Sequence, residues 1–259
     1  MSDDQQTRAL SDDERAELLA AYEGLRVTDV VDGLDHDGYV EYGQFSGFFD
    51  VNHLSSDIRP LFRDTETFSH RAVGFANTLR LHPTNKLDLV SDPPERSEDG
   101  FQSWKHDWWS TLSGEPKRDA IREGDMLVIE AHDLDVGFIG SANSLGWFDA
   151  GAVGVVTNAG CRDTDEVVTQ GYPVYATHTS KPNRPGRLVT DAVGVPVNVG
   201  GTLVRPNDVV VADGDGVVVV PLERASTVAK YARTINERDS RNRGNMYERM
   251  DIEKDCTVR

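Results

Sequence analysis

The pattern of apolar and polar positions predicts helices and one long strand in the first part of the chain. Ser11 to Tyr22 has apolar residues at helical spacing behind a Ser-x-x-Glu capping box, which predicts a first helix. Thr28 to Leu34 predicts a second, short helix that is capped by Thr28. Ala72 to Leu81 predicts a strand, and Asn85 to Val90 predicts a further helix.

After residue 123 the pattern changes to short, continuous apolar runs, which are typical of buried strands. These runs lie at Met126 to Glu130, Val153 to Thr157, Pro173 to Ala176, Val195 to Val199, Val209 to Ala212 and Val217 to Val220. Asp213-Gly214-Asp215-Gly216 joins the last two runs, and we interpret it as a hairpin turn rather than a calcium loop. Glu223 to Asn236 predicts a last helix, followed by a charged tail that we expect to be partly mobile.

Residues 91–119 differ from their surroundings because they hold three of the four tryptophans. A loop is predicted at Ser91 to Glu95 and a helix at Phe101 to Leu112. Phe101, Trp104 and Trp108 follow one another at three- and four-residue steps, which places them on one aromatic face. We expect this face to pack onto the core or onto another subunit; a substrate lid is the alternative.

The stretch from Gly140 to Glu166 holds the candidate site. Gly140-Ser141 is suited to open a helix, with Ser141 as its cap, and Gly151 is placed to end it. The buried strand at Val153 to Thr157 comes next, followed by the predicted polar loop Cys161-Arg162-Asp163-Thr164-Asp165-Glu166. Polar groups at the carboxyl end of a buried strand occupy the position where α/β proteins place their chemistry.

Composition narrows the class of protein. The chain has 44 acidic against 27 basic residues and a net charge of −17, which argues against binding the phosphate backbone of nucleic acids. Such a surface fits either a protein kept soluble in a salty cytoplasm or an ordinary acidic enzyme. No apolar run is long enough to span a bilayer, and the first residues lack the features of a secretory signal. Two cysteines form no disulfide framework, so we expect a cytoplasmic protein.

Several motifs suggest chemistry that their context does not support. Four closely spaced aspartates lack the glycine hinge and terminal glutamate of a calcium loop, and we interpret them as a solvated face. They are Asp29, Asp32, Asp35 and Asp37. Cys161 is interpreted as a small packed residue rather than a nucleophile. The seven histidines form no HxxxH or HxH pair, and GxSxG and P-loop motifs are absent from the sequence.

The remaining candidate is the Arg162-Asp163 pair, which faces the predicted helix start at Gly140. Carboxylates suit a hard divalent ion such as Mg²⁺ or Mn²⁺, whereas an arginine beside a helix amino terminus suits a small carboxylate ligand. The alternative is an ion pair that only organises its loop.

Several segments together carry a resemblance to a known family. They include LRVTDVVDGLD, AVGFANTLRLHPTNKLD, GAVGVVTNAGCRDTDEV and VPVNVGGTLVRPNDVVVADGDGVVVVP. In these the chain resembles the regulator-of-ribonuclease-activity-A-like family, which includes metal-dependent 4-hydroxy-4-methyl-2-oxoglutarate aldolases. The resemblance runs from about Leu25 to the helix after Pro221 and is interrupted by residues 91–119.

The resemblance implies a single domain over residues 1–259, with a helical insertion at about 91–119 and a helical tail from about 223. The implied fold is α/β, a three-layer β/β/α arrangement as in swivelling phosphohistidine domains. The implied assembly is a homotrimer or homohexamer. It also implies roles for residues. Asp163 matches the metal ligand and Arg162 the substrate-binding arginine, and the segment Gly140-Ser141-Ala142-Asn143 matches the helix start whose amides hold a pyruvate carboxylate.

The aldolases of the family carry a carboxylate where this chain has Ser141, and a further acidic residue comes from a neighbouring subunit. Glu237 or Asp239 matches that neighbour's residue, and Glu166 is a further acidic group near the expected ion. The implied function is a Mg²⁺- or Mn²⁺-dependent lyase that acts on a small 2-oxo acid, by retro-aldol cleavage to pyruvate or by oxaloacetate-type decarboxylation. The alternative is a non-catalytic ring that binds and inhibits an RNA-degrading enzyme; the presence of both Arg162 and Asp163 favours the enzyme. Neither reading involves binding to nucleic acid or to a membrane.

Overall fold

The computed structural model describes residues 10–43, 52–84, 96–116 and 118–258. The helix predicted at Asn85 to Val90 and the loop predicted at Ser91 to Glu95 lie outside the described residues. The helices are α1 (Asp12–Tyr22), α2 (Val27–Tyr42), α3 (Glu98–Thr111), α4 (Ser141–Asp149), α5 (Thr164–Gln170) and α6 (Ala225–Met250). The strands are β1 (Arg59–Pro60), β2 (Ala72–Pro83), β3 (Asp125–Glu130), β4 (Gly137–Ile139), β5 (Ala152–Thr157), β6 (Gly160–Cys161), β7 (Val174–Ala176), β8 (His178–Thr179), β9 (Leu188–Val193), β10 (Val197–Val199), β11 (Thr202–Val204), β12 (Val209–Asp213) and β13 (Gly216–Val220).

The fold is mixed α/β, and its main sheet has the strand order β1-β7-β5-β3-β2-β12-β13. The neighbours β7, β5, β3 and β2 are parallel, while β12 pairs antiparallel with both β2 and β13. The far end of β2 also pairs with β9, with a bulge between Arg80 and Leu81. The strand β2 therefore joins the parallel and antiparallel parts of the sheet.

A small parallel sheet, β4-β6-β8, lies beyond the ends of β3, β5 and β7. Each of its strands follows one of those three longer strands along the chain. Two loops are therefore carried to one edge, namely the loop after β4 and the loop after β6. The candidate site lies in these two loops.

The valines of β12 and β13 alternate between two separate apolar clusters, as the two faces of a strand require. Val209 and Val211 pack with α2 and α6, whereas Val210 packs with the β10-β11 hairpin on the opposite face. The predicted turn between β12 and β13 is confirmed, because the Asp215 amide donates to the Asp213 side chain at 2.8 Å. Among the described helices, none is long and apolar enough to cross a membrane.

Helix α1 matches its prediction, including the reciprocal Ser11–Glu14 capping box. Helix α2 does not: it begins after Arg26 rather than at Thr28 and continues to Tyr42. The side chain of Asp29 accepts a hydrogen bond from the Arg26 amide at 2.9 Å and so supplies the cap. The sequence suggested Thr28 because hydroxyl residues are common caps. The bond found here is instead the second half of a capping box, in which an acidic side chain of the first turn accepts from the amide of the cap residue.

The interpretation of the aspartate run as a solvated face was wrong for two of its members. Asp29 and Asp37 are both buried. Asp29 pairs with Arg26 and also accepts from Asn236 at 2.7 Å, while Asp37 accepts from the Arg224 Nε at 2.5 Å. Burial of these carboxylates is possible because each has a guanidinium partner.

The predicted end of the last helix at Asn236 was also wrong, because α6 continues to Met250. The helix packs against α1 and α2, and its buried residues include Ile235 and, near its far end, Gly244. The chain beyond the helix returns along it: the Arg243 guanidinium donates to the Thr257 carbonyl at 3.0 Å, and Val258 is buried. The tail that we expected to be mobile therefore packs against α6.

The aromatic helix is confirmed as α3. Trp108 is completely buried, and its indole Nε1 donates to the Leu188 carbonyl at 3.1 Å. Trp104 packs against it with ring centroids 5.6 Å apart. Phe101, by contrast, is 51% exposed in the single chain. Burial of Trp108 in the core is thus confirmed, and a subunit contact at Phe101 stays a prediction.

Candidate functional site

The site forms where the loops after β4 and β6 meet. Gly140 ends the first loop and is the cap residue of α4, while Arg162 and Asp163 lie between β6 and α5. The Arg162 amide donates to the Ile139 carbonyl at 2.8 Å, which ties the two strand ends together. The structure therefore brings the predicted pair beside the predicted helix start.

Asp163 lies in the left-handed region, with φ of 52°, a conformation that aspartate tolerates better than most residues. Its Oδ1 accepts from the Arg162 Nε at 3.2 Å. Its Oδ2 faces the Ser141 amide at 3.4 Å and the Ser141 hydroxyl at 3.5 Å, both long contacts. The side chain is 36% exposed, so the carboxylate is accessible to a ligand.

The cap of α4 is made by Asn143 rather than by Ser141 as predicted. The Asn143 Oδ1 accepts from the Gly140 amide at 2.7 Å, and the Asn143 Nδ2 donates to the Phe138 carbonyl at 2.9 Å. The backbone amides of Ala142 and Asn143 have no hydrogen-bond partner among the described residues. They are donors at a helix amino terminus, where a carboxylate is favoured by both hydrogen bonding and the helix dipole.

Two glycines allow the Arg162-Asp163 pair to approach β4 closely. A Cβ atom on Gly140 would lie 2.8 Å from the Asp163 Oδ2, and one on Gly137 would lie 2.9 Å from the Arg162 Cβ and Cγ. Both distances are shorter than carbon side-chain contacts allow. The sequence predicted Gly140 as a helix start; its second role, making room for the carboxylate, is visible only in the fold.

A buried arginine and its carboxylate partner contact the start of α4, and the sequence analysis did not identify this ion pair. Arg184 is completely buried, pairs with Glu115, and has its guanidinium carbon 3.4 Å from the Trp109 ring centroid and 4.4 Å from that of Phe138. Burial raises the pKa of Glu115, although Arg184 and a hydrogen bond from the Asn143 side chain oppose the shift. Burial likewise lowers the pKa of Arg184 to about 9. Residues 91–119, the aromatic-rich segment, are therefore connected to the cap of α4 through the contact of Glu115 with Asn143.

Cys161 precedes the pair and is fully buried. Burial, aided by the nearby charge of Asp163, raises the pKa of its thiol to about 12. A thiol with such a pKa stays protonated at neutral pH and is a poor nucleophile. The interpretation of Cys161 as a packed residue is confirmed.

The remaining predicted residues lie outside this group of contacts. Glu166 is exposed in the first turn of α5, so the predicted polar loop ends earlier, where α5 begins at Thr164. Glu237 is exposed on α6, and Asp239 lies 3.6 Å from Arg26. None of these three carboxylates contacts Arg162 or Asp163 in the described part of one chain. Their delivery by a neighbouring subunit stays a prediction.

The donor atoms at the site restrict which metal it suits. Asp163 and the Ser141 hydroxyl offer hard oxygen donors, and no group of three His, Cys, Asp or Glu side chains suited to a metal occurs among the described residues. Mg²⁺ is commonly held by one or two carboxylates and keeps several waters. The residues therefore fit a water-rich Mg²⁺ or Mn²⁺ ion and do not fit a zinc-type cage.

Comparison with solved structures supports the fold. An uncharacterized protein from Pseudomonas syringae pv. tomato aligns with a TM-score of 0.66 at 22% identity, over 91% of this chain and 93% of that one. The Streptomyces coelicolor protein RraAS2, described as an unusual member of the RNase ES inhibitor RraA protein family, aligns with a TM-score of 0.63 at 23% identity. That alignment covers 91% of this chain and 98% of RraAS2.

Curated relatives match over shorter stretches. An uncharacterized protein of Methanocaldococcus jannaschii is 30% identical over 102 residues, which is 39% of this chain and 49% of the relative. A Halalkalibacterium halodurans protein named "Putative 4-hydroxy-4-methyl-2-oxoglutarate aldolase" is 30% identical over 115 residues, 42% of this chain and 52% of the relative. The chain thus spans about half the length of these relatives. A family model described as RraA-like, Aldolase/RraA, matches residues 27–219, and the chain belongs to this family.

Proposed function

We propose that the chain is a divalent-metal-dependent lyase that cleaves a C–C bond of a small 2-oxo acid. The observation that carries the proposal is the convergence of three groups at one edge of the fold. These are the Arg162 guanidinium, the accessible Asp163 carboxylate, and the free amides of Ala142 and Asn143.

Each group has a role in this proposal. The amides at the start of α4 bind the substrate carboxylate, and Asp163 holds a hydrated Mg²⁺ or Mn²⁺ ion. The ion, when bound, supplies Lewis-acid polarisation of the 2-oxo group. When the C–C bond breaks, its electron pair moves towards the 2-oxo oxygen, and Arg162 donates hydrogen bonds to the negative charge that develops there.

This chain has Ser141 where the aldolases of the family carry a carboxylate, and the missing carboxylate affects the choice between the two reactions. Retro-aldol cleavage requires a base to take the proton of the 4-hydroxyl group, whereas loss of CO₂ from an oxaloacetate-type acid requires none. In the described part of one chain, Asp163 is the only carboxylate in contact with Arg162, and it is assigned to the ion. A single chain therefore favours decarboxylation, and retro-aldol cleavage needs an acidic residue such as Glu237 or Asp239 from a neighbour.

The proposal also covers the finer architecture, which is a three-layer domain with an aromatic insertion, assembled as a trimer or hexamer in the cytoplasm.

A second function, inhibition of an RNA-degrading enzyme by a non-catalytic ring, is favoured by one observation. Leu145 and Phe148 on α4, beside the site, are 51% and 53% exposed. An exposed apolar face on a helix suits a protein partner.

The test uses Asp163→Asn and Arg162→Lys, with Asp165→Asn as the matched control. Asp165 is exposed in the first turn of α5 and makes no contact with Arg162 in the described residues, so its replacement removes the same charge nearby. We expect Asp163→Asn to abolish metal-dependent release of pyruvate or CO₂. Arg162→Lys should lower kcat/KM by about 10²–10³-fold, as losing an oxyanion donor does in other enzymes.

Both variants should fold like the wild type, since an exposed pair contributes little to stability. Wild-type activity that survives a chelator, or an Asp165→Asn variant as impaired as Asp163→Asn, contradicts the proposal. A wild type that is inert towards 2-oxo acids yet binds a ribonuclease tightly supports the inhibitor function instead.

A further inference from the structure

A cavity formed by other elements than those of the candidate site is lined by arginines. It has a volume of about 780 Å³ and lies between the end of α1, the loop before β2, and the outer half of α6. Four arginines line it, and Glu23 is the only acidic residue among its lining residues. They are Arg26, Arg71, Arg233 and Arg243. Such a concentration of cations is unexpected in a chain with a net charge of −17.

Three of these arginines form no direct ion pair. Arg26 is paired with Asp29 and Asp239, but Arg71, Arg233 and Arg243 form no ion pair with any described residue, although the Asp255 carboxylate attracts Arg243 from a longer distance. The Arg233 Nη2 donates to the carbonyls at the end of α1 at 3.0 and 2.6 Å. The Arg243 Nη2 donates to the Thr257 carbonyl at 3.0 Å. These bonds go to neutral carbonyls, so they fix the two guanidinium groups in place, and Asp255 offsets only part of the charge of Arg243.

Arg71 is held by an ordered loop. Its guanidinium carbon lies 3.9 Å from the centroid of the Phe68 ring, and its Nε is buried without a hydrogen-bond partner in the described chain. Phe68 has φ of 58°, which is rare for a bulky residue and marks local strain. The loop keeps this shape because Asp64 accepts hydrogen bonds from three of the five residues that follow it. Arg71 is thus positioned before any ligand arrives.

We infer that this cavity binds a small, multiply charged oxyanion of the phosphate-ester or pyrophosphate class. Three guanidinium groups that form no ion pair line one space and repel one another, and a multiply charged anion relieves that repulsion. The planar fork of arginine matches phosphate oxygens in pairs. The volume lies within the range of small-molecule pockets. The lining residues include none of those assigned to the lyase, so the inference does not rest on the proposed function.

Calorimetric titration with pyrophosphate, in buffer free of phosphate and divalent metal, tests the cavity. We expect saturable binding with one site per chain. Arg71→Gln and Arg243→Gln should each weaken it by about tenfold or more, because each removes a charge-assisted hydrogen bond. Arg241→Gln is the matched control: it lies two residues away on α6, is exposed, and does not line the cavity. Binding should be unchanged there.

Cys256 gives a second readout, since it is exposed and lines the cavity while Cys161 is buried. Neutral N-ethylmaleimide should modify Cys256, and pyrophosphate should slow the reaction in the wild type and in Arg241→Gln but not in Arg243→Gln. Arg162→Gln should bind pyrophosphate like the wild type. No saturable binding, equal weakening by Arg241→Gln, or loss of binding in Arg162→Gln would overturn the inference; the last result would place the anion at the candidate active site.

Discussion

Replacement of Gly140 by alanine tests the geometry of the candidate site with one added methyl group. The φ of Gly140 is −149°, an extended conformation that alanine adopts freely, so the backbone is not strained by the change. The new Cβ would instead lie 2.8 Å from the Asp163 Oδ2. The carboxylate oxygen must then move by about 0.6 Å to reach an ordinary van der Waals distance.

The expected effect is large on activity and small on stability. The Asp163 side chain is 36% exposed and can move outwards, so we expect the free energy of unfolding to change by less than about 1 kcal/mol. A displacement of about 1 Å in a reacting group costs on the order of 10² in rate. We therefore expect Gly140→Ala to lower kcat/KM for metal-dependent pyruvate or CO₂ release by about 10–100-fold and to weaken Mn²⁺ binding.

The assay combines steady-state kinetics, Mn²⁺ binding followed by electron paramagnetic resonance, and thermal unfolding. Gly146→Ala is the matched control, because a Cβ at this exposed position of α4 meets no atom within 4 Å. It should keep full activity and gain about 0.5–1 kcal/mol of stability from the better helix propensity of alanine. Full activity in Gly140→Ala, or unfolding in place of inactivation, would refute the assignment of Asp163.

Three further predictions concern stability, measured by urea unfolding. Trp108→Ala should lose about 3–5 kcal/mol, because it empties a fully buried site, while the half-exposed Phe101→Ala should lose less than about 0.5 kcal/mol; equal losses contradict the packing of α3. Glu115→Gln should lose about 3–5 kcal/mol, because buried Arg184 is left without its counter-ion, and an unchanged midpoint contradicts this. Burial raises the pKa of Asp208 to about 6, above its value near 3.9 in the unfolded chain. The contribution of Asp208 to the free energy of unfolding is therefore present below pH ~4 and lost as pH rises to ~6. Asp208→Asn should make the free energy of unfolding less dependent on pH between these values, and an unchanged pH dependence contradicts this prediction.

The buried strands were predictable because their sequences leave few alternatives. Continuous valine runs such as those of β12 and β13 satisfy a strand that is covered on both faces, and both were found in place. Strand β9 was missed, since all its residues except Leu188 are partly buried or exposed and it owes its conformation to pairing with β2. Likewise, β4, β6 and β8 are two or three residues long, and hydrogen bonds to one another define them. Local sequence carries little information about such pairings.

The candidate site was predictable to the extent that its residues are close in the sequence or carried by the family resemblance. Gly140, Arg162 and Asp163 belong to one continuous stretch, and the fold brings them together. Glu115 and Arg184 are 69 residues apart, and although Arg184 lies in the segment RPGRL, which resembles the family, nothing in the sequence points from one residue to the other. The same is true of Asp37, whose partner Arg224 lies 187 residues away. A charged residue in a sequence does not identify its distant counter-ion, so burial of these pairs could not be foreseen.

The central position of β2 has a consequence for how the chain folds. Its residues 72–83 pair with β3, β9 and β12, whose residues lie at 125–130, 188–193 and 209–213. None of these partners is local, so the entropy of closing long loops must be overcome before the sheet is complete. During synthesis, β3 becomes available to pair with one edge of β2 well before β9 and β12 become available for the other edge. Chains released before residue 213 will expose this unpaired edge of an apolar strand and will tend to aggregate, whereas the completed chain pairs both edges of β2.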